Sequence, residues 1–418
     1  MKRSPLREDA EEIIGSAIRA VLPDAAVRRA LAGQTLEKGR VVLIAVGKAA
    51  WQMANSAAQL LGDRIDEGLV VTKHGHSRGP IRDFRIIEAG HPVPDENSYL
   101  GAQTALELVD PLGQEDHVLF LLSGGGPALF ELPLLPAEEL EDLTQQLLAS
   151  GANVVEINTL RKRLSGVKGG RFAQRCAPAQ VFNIILSDVI GDPVDMIASG
   201  PTSPDSSTSA QALEIAERYA LRLSPQARRL LEQETPKALE HVQTQITGSV
   251  RELCAAAAEA CRERGYTPVY LTDRLSCEAR EAGVFLSEIA RSHAEDGISL
   301  AYIAGGETVV HLKGDGLGGR NQELALAAAE GLRGLEQAAV FSVGSDGTDG
   351  PTDAAGGYVD GSTARQLDAL GEGVDSYLAR NDAYHALAKT DGLIVTGPTG
   401  TNVNDVAVVL IRSGAARR

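Results

Sequence analysis

Residues 121–130 read LLSGGGPALF, an apolar run that stops at Ser123 and passes into Gly124, Gly125 and Gly126. Glycine loses more conformational freedom on folding than any other residue. Three in a row therefore imply close approach to the main chain or unusual dihedrals. Consecutive backbone N–H groups at the tip of a strand can cradle an anion such as a phosphate or a small carboxylate. A plain flexible turn is the competing reading. The triplet is not a dinucleotide fingerprint, because G-x-G-x-x-G needs glycine where Leu129 stands. VGKAA (46–50) is not a Walker loop, because no Ser or Thr follows Lys48.

Lys48 follows a β-branched run and opens a helical pattern, where an ammonium can meet a phosphoryl group as a point charge. NTLRKRLSGVKGGR (158–171) is the densest basic stretch of the chain. Helical spacing puts Arg161, Ser165 and Lys168 on one face and Lys162 on another, which suits a carboxylate or phosphate site. Arg163 reads as solvated. Arg320 stands behind Gly314, Gly316, Gly318 and Gly319, and reads as a mobile guanidinium clamp for phosphate oxygens. Asp346, Asp349 and Asp353 in GSDGTDGPTD (344–353), and Asp188 with Asp192 in SDVIGDP (187–193), offer oxygen ligands for Mg²⁺ or a base for a hydroxyl proton. Each is equally readable as a turn former. Of eight histidines, only His91 in GHPVPD sits in a suspicious loop, and even there a turn is the commoner role.

These residues fall where elements end. VVLIAV (41–46), GLVVT (68–72), RIIEA (85–89), VLFLL (118–122) and FNIIL (182–186) are continuous apolar runs separated by helical patterns. That is the signature of parallel strands covered on both faces, and ligands of such sheets bind beyond the carboxyl ends of the strands. Composition turns polar after Pro204, and a domain boundary near 240 is expected, giving domains 1–240 and 241–418. The second half repeats the alternation, with strands expected at 267–272, 299–305, 308–314, 338–344 and 406–411. The pair around Gly306 and Glu307 reads as a tight antiparallel element.

The chain of 418 residues exceeds a single core. Its 40 basic against 56 acidic residues give a net charge of −16, which argues against non-specific binding to nucleic acid or acidic membranes. Cys176, Cys254, Cys261 and Cys277 form no C-x-x-C pair and read as small core residues. The first residues, MKRSPLREDAEEII, lack the apolar stretch of a signal peptide, and no run approaches the ~18 residues of a membrane span. A cytoplasmic protein is expected.

The motifs converge on a known family. VGKAA (46–50), GHPVPDENS (90–98), LLSGGGPALFELP (121–133), NTLRKRLSGVKGG (158–170), LSDVIGDPVDMIASGPTSPD (186–205), GGETVVHLKGDGLGGRNQELALAAA (305–329), FSVGSDGTDGPTDAAGGYVDG (341–361) and GPTGTNVNDV (397–406) make the chain resemble the two-domain glycerate 2-kinases. These carry an N-terminal glycerate kinase domain and a C-terminal MOFRL domain. The resemblance implies two three-layer α/β/α domains, the first Rossmann-like with a mostly parallel sheet and the second with a mixed sheet, and an active site in the cleft between them. It implies ATP-dependent phosphorylation of D-glycerate with Mg²⁺, at the 2-hydroxyl.

It places the family's active-site lysine and arginine on Lys48 and Arg320. With Asp188 these are the expected catalytic groups. Ser123, Gly124, Gly125, Gly126, Asn158, Arg161, Lys162, Lys168, Glu307, Asn321 and Asp349 are the expected substrate and nucleotide contacts, and Asp192 and Asp346 the expected metal ligands. Glycerate and ATP are the expected partners, with a homodimer left open. Relatives have also been labelled hydroxypyruvate reductases, so an NAD(P)H-dependent reductase is one rival, although no G-x-G-x-x-G follows a strand. A binding protein that closes on a small acid without consuming ATP is the other.

Overall fold

The computed structural model describes residues 4–34, 36 and 38–413. The chain divides into two compact units, one formed by 26–247 and the other by the segment up to Ala25 together with the chain from Gly248 onward.

The first unit is built on a six-stranded sheet of β1 (Val41–Val46), β2 (Glu67–Lys73), β3 (Arg85–Ala89), β4 (His117–Leu122), β5 (Gln180–Leu186) and β6 (Val242–Gly248), in the order β3-β2-β1-β4-β5-β6. The pairs β1–β2, β1–β4, β2–β3 and β4–β5 are parallel. Every residue of β1 is buried, because successive side chains enter two different cores. Val42, Ile44 and Val46 face one core with Phe120, Phe130 and Phe172. Val41, Leu43 and Ala45 face the other with Met53 and Ala57 of the helix Ala50–Leu61. Covering on both faces removes the polar alternation that a one-sided sheet would show. A third cluster joins the helices Ala137–Ala149, Val154–Leu164, Ser209–Arg218 and Pro225–Leu231.

The second unit holds β7 (Thr267–Leu275), β8 (Leu300–Gly306), β9 (Ala338–Gly344), β10 (Gly356–Asp360), β11 (Leu393–Ile394) and β12 (Asp405–Ile411), in the order β11-β10-β9-β12-β8-β7. Only β7–β8 is parallel; the other pairs are antiparallel, so this sheet is mixed. Ile303, Val406 and Val408 face one core, and Tyr302, Ala407 and Val409 the other. Both units thus have helices packed on both faces of a sheet.

The structure differs from the sequence reading at several points. Residues 308–314 form no strand; Val309 makes one isolated bridge to Glu278, and β8 pairs with β12 instead. β6 was hidden by its polar composition, and as an edge strand it buries only its last residues. The helix Pro5–Ala20 packs with Val250–Glu263 in the second unit through Ile13, Ile14, Ala17 and Ile18. Cys277 is exposed, whereas the other three cysteines are buried. No helix among the described residues is long and apolar enough to cross a membrane.

Candidate functional site

In the first unit the carboxyl ends of β1, β4 and β5 converge on the glycine triplet. Ser123 continues β4: its N–H donates to Val46 O at 2.9 Å, and its hydroxyl accepts from Ala49 N at 3.1 Å. Lys48 N donates to Gly124 O at 2.9 Å, which ties the start of one loop to the tip of the other. Gly47 has φ 125°, and a Cβ there would meet Ser123 Oγ at 2.2 Å, so only glycine lets the two loops touch. Gly125, at φ 87°, lies in the left-handed region. A side chain on Gly125 would run into Lys48 Cγ at 3.1 Å and His91 Cδ2 at 3.2 Å; one on Gly124 would strike Asp188 Oδ2 at 2.3 Å.

The main chain of Gly124–Gly125 is therefore flanked by an ammonium side chain, an imidazole and a carboxylate. Among the described residues, the N–H groups of Gly124 and Gly125 donate to no protein acceptor, and Lys48 Nζ has no hydrogen-bond partner. Gly126 packs instead on Ala198, whose Cβ lies 2.4 Å from where its own would be. Ala198, Ser199 and Gly200 all have positive φ (51°, 60° and 62°), an arrangement that costs energy at the two non-glycine residues. Asn158 helps hold it: Ser199 Oγ donates to Asn158 Oδ1 at 2.8 Å.

The basic stretch resolves into different environments. The helix Val154–Leu164 ends before Ser165, so Arg161 and Lys168 do not share a helical face. Lys162, 1% exposed, donates to Asp195 Oδ2 at 3.0 Å and Asp205 Oδ1 at 2.9 Å. Arg163 is fully buried rather than solvated, donating to Thr159 O, Ser207 and Asp205. Lys168, also fully buried, pairs with Glu131 and donates to Pro127 O at 2.8 Å, at the short helix Gly126–Leu129. Burial lowers its pKa, and Glu131 opposes that shift. Arg161 is half-buried and forms no ion pair among the described residues; burial lowers its pKa. Asp192 adopts φ 53°, and its Oδ1 is buried without a hydrogen-bond partner.

In the second unit the helix Arg320–Gly331 begins at the same edge as the ends of β8 and β9. Arg320 Nε donates to Asp405 Oδ2 at 2.5 Å and Nη2 to Asp405 Oδ1 at 3.0 Å, while Nη1 lies 3.3 Å from Glu307 Oε1. Although burial opposes it, these carboxylates raise the guanidinium pKa further. Asp349, 3% exposed, accepts from Asn321 N at 3.1 Å and Gln322 N at 2.9 Å and so caps the helix. Burial pushes its pKa up to about 6, and the two N–H groups and Arg320 offset part of that. Asn321 Oδ1 accepts from Ser342 Oγ at 2.6 Å. Asp346 Oδ1 accepts from Thr348 N at 3.0 Å, and over Gly344 it approaches the same point as Asp405 Oδ1, at 3.2 and 3.4 Å.

The glycines before Arg320 are packed, not a mobile clamp. Gly314 and Gly316 press on the main chain of Arg380, and a Cβ on Gly319 would meet the Asp349 carboxylate at 2.3 Å. Asp405, the residue that fixes Arg320, escaped the sequence reading of single residues. Its only signal was an acid at the head of the apolar run 406–411. Asp195, Asp205 and Glu131 were likewise missed as partners of the basic stretch, since nothing local marks an acid that is used from ~30–40 residues away.

Three comparisons bear on this arrangement. Residues 9–232 match the family model described as a domain of unknown function, DUF4147, and residues 300–405 match the MOFRL family. The chain is 54% identical over 412 residues to the D-glycerate 2-kinase of Thermotoga maritima, covering 97% of this chain and 98% of that protein. It is 39% identical to the glycerate 2-kinase of Pyrococcus horikoshii, covering 99% of both. A crystal structure of a glycerate kinase from Thermotoga maritima superposes with a TM-score of 0.94 at 54% identity, covering 97% of this chain and 99% of the other.

Proposed function

The chain belongs to the glycerate kinase family, with a DUF4147 domain followed by a MOFRL domain, and on that premise we propose that it transfers the γ-phosphoryl group of ATP to the 2-hydroxyl of D-glycerate. Phosphoryl transfer asks a protein for positioning and charge neutralisation more than for covalent chemistry. The observation that carries the reading is the grouping around Gly124 and Gly125. Free backbone N–H groups and the unpaired Lys48 ammonium suit anionic oxygens, and the Asp188 carboxylate suits a hydroxyl proton.

In this reading Asp188 accepts the proton as the glycerate oxygen bonds to phosphorus, and the electron pair of the breaking P–O bond leaves with ADP. Lys48 neutralises charge on the transferred group; in the second unit Arg320, with Glu307 beside it and Asn321 next in the chain, is the candidate cation. Ser123 and Asn158 shape the loop, and Arg161 remains available to an anion. Lys162 and Lys168 hold the scaffold, their charges being spent on Asp195, Asp205 and Glu131.

No group of three or more metal-ligating side chains exists among the described residues. Magnesium needs fewer, since it keeps waters and takes substrate phosphate oxygens. The orphaned Oδ1 of Asp192 in the first unit and, separately, the oxygens of Asp346 in the second fit such a hard cation; bound at either, it would neutralise phosphate charge.

Phosphorus NMR of a reaction with D-glycerate and ATP tests the proposal. A 2-phosphoglycerate resonance growing with ADP supports it. Unchanged ATP overturns it; hydroxypyruvate-dependent oxidation of NAD(P)H in a parallel assay would then favour the reductase reading, and its absence the binding-protein reading. A 3-phosphoglycerate resonance overturns only the position.

A further inference from the structure

His91 is not used by the reading above, yet its ring lies against the same glycine as Lys48. A point 1.5 Å beyond the Gly125 Cα would be 3.2 Å from His91 Cδ2 and 3.3 Å from Lys48 Cε. Neither ring nitrogen of His91 has a hydrogen-bond or ion-pair partner among the described residues, and the ring is half-buried. Its loop is held from outside. His74 Nε2 and Asp95 Oδ2 are 2.8 Å apart, His74 N donates to Ala89 O at 3.1 Å, and Ser77 N donates to Glu88 Oε1 at 2.9 Å. The loops after β2 and β3 are thereby stitched together, with Lys73 and His76 beside His91. His76 Nδ1 lies 3.1 Å from Lys48 O. Across the glycine main chain, the Asp188 carboxylate lies over Gly124.

We propose that His91 is a substrate-contacting residue which, together with Lys48, receives an anionic oxygen of a substrate over Gly125, and that it takes up a proton as that oxygen binds. The oxygen belongs either to the carboxylate of glycerate or to a nucleotide phosphate. A second cation is disfavoured beside Gly125: burial first, then the charges of Lys48, Lys73 and His76, hold the imidazole below its usual 6.5. An arriving anion reverses the sign of the local field. The imidazole then gains a proton from solvent and donates N–H to the anion. By linkage, affinity for that anion rises toward tenfold for each unit by which pH falls between the free and liganded pKa values of His91. The inference rests on the kinase reading for the identity of the substrates.

The test is isothermal titration calorimetry of the full chain in buffers of different ionisation enthalpy. D-glycerate alone and a non-hydrolysable ATP analogue alone are the titrants, with wild type, His91→Gln, His91→Asn and His76→Gln as the proteins. We expect uptake of up to one proton in wild type and in His76→Gln, and its loss in both His91 variants, with a weakened and pH-flat affinity. Uptake on glycerate assigns the carboxylate; uptake on the analogue assigns the phosphate. Thermal unfolding confirms that the variants fold. No uptake with either titrant in wild type, or undiminished uptake in folded His91 variants, overturns the inference. If wild type still phosphorylates glycerate, that failure leaves the kinase reading standing; if it does not, both fall.

Discussion

Arg320 and Asp405 form a two-pronged ion pair, Nε to Oδ2 at 2.5 Å and Nη2 to Oδ1 at 3.0 Å, in which the carboxylate is 9% exposed and the guanidinium 34%. The pair fixes the plane of the arginine fork and leaves Nη1 beside Glu307. Replacing Arg320 by Lys keeps the charge and loses the fork. We expect Arg320→Lys and Asp405→Asn each to lower kcat by at least tenfold. The Asp405 change should act through the arginine's orientation, so it should lower kcat more than it raises KM for either substrate. Steady-state kinetics of the folded variants checks this. Wild-type kcat in Arg320→Lys would remove the fork from the mechanism.

Lys48→Ala removes a side chain whose ammonium has no partner among the described residues, so its expected effect is on rate alone. A loss of about 10²-fold or more in kcat, the scale of removing one preorganised charge-stabilising group, is expected, with a melting temperature within a few degrees of wild type. Gly125→Ala is expected to do the reverse in part. Its Cβ must fit a φ of 87° and lies 3.1 Å from Lys48 Cγ, so it should cost about 1–2 kcal/mol of stability and displace the lysine as well. Comparing kcat with the urea midpoint separates the two.

Lys162→Met tests the assignment of a basic residue to the scaffold. The ammonium is 1% exposed between Asp195 and Asp205, and Asp205 has no exposed side-chain surface. Removing the cation leaves two carboxylates with Arg163 as the nearest compensating charge. A loss of roughly 3–5 kcal/mol is expected from urea unfolding. A variant of unchanged stability whose KM for ATP or glycerate rises would return Lys162 to the list of ligand contacts.

The pH dependence of stability carries a signature of Asp349. Its carboxyl pKa rises from 3.8 in the unfolded chain to about 6 in the folded one, chiefly through burial. A raised folded pKa means that the folded state holds the proton more tightly. The resulting stabilisation is complete below pH 3.8 and is lost as pH climbs through 6. At full size that is at most about 3 kcal/mol. Asp349→Asn cannot titrate, and its single oxygen keeps only one of the two bonds that Asn321 N and Gln322 N make to separate carboxylate oxygens, a loss that does not change with pH. The stability of wild type minus that of Asp349→Asn should therefore fall between pH 4 and 7. A flat difference across that range would contradict the burial of a titrating carboxyl.

The parallel order of the first sheet was readable before any coordinates, because strands buried on both faces must be apolar throughout, and β1 and β4 are. The glycine triplet at the end of β4 was readable for a related reason: only a close main-chain contact justifies the entropy of Gly124, Gly125 and Gly126. β6 was not legible, since an edge strand with four polar residues out of seven carries no hydrophobic period. Nor was the failure of the hairpin expected at 308–314, where the stretch makes a single bridge through Val309 and no ladder, so it is not a strand.

By itself the sequence determined the local chemistry of this protein: which loops are short of side chains, which strands are buried, and that cations and aspartates stand at strand ends. Only the tertiary structure decided how each charge is used. Lys48 and Lys168 are the same residue type near glycines in the chain, yet one ammonium has no partner among the described residues and the other is buried against Glu131. The reason is physical: a buried charge must be neutralised by whatever acid the fold brings to it. The partners of Lys162, Asp195 and Asp205, lie 33 and 43 residues away in the chain, a distance over which spacing carries no information.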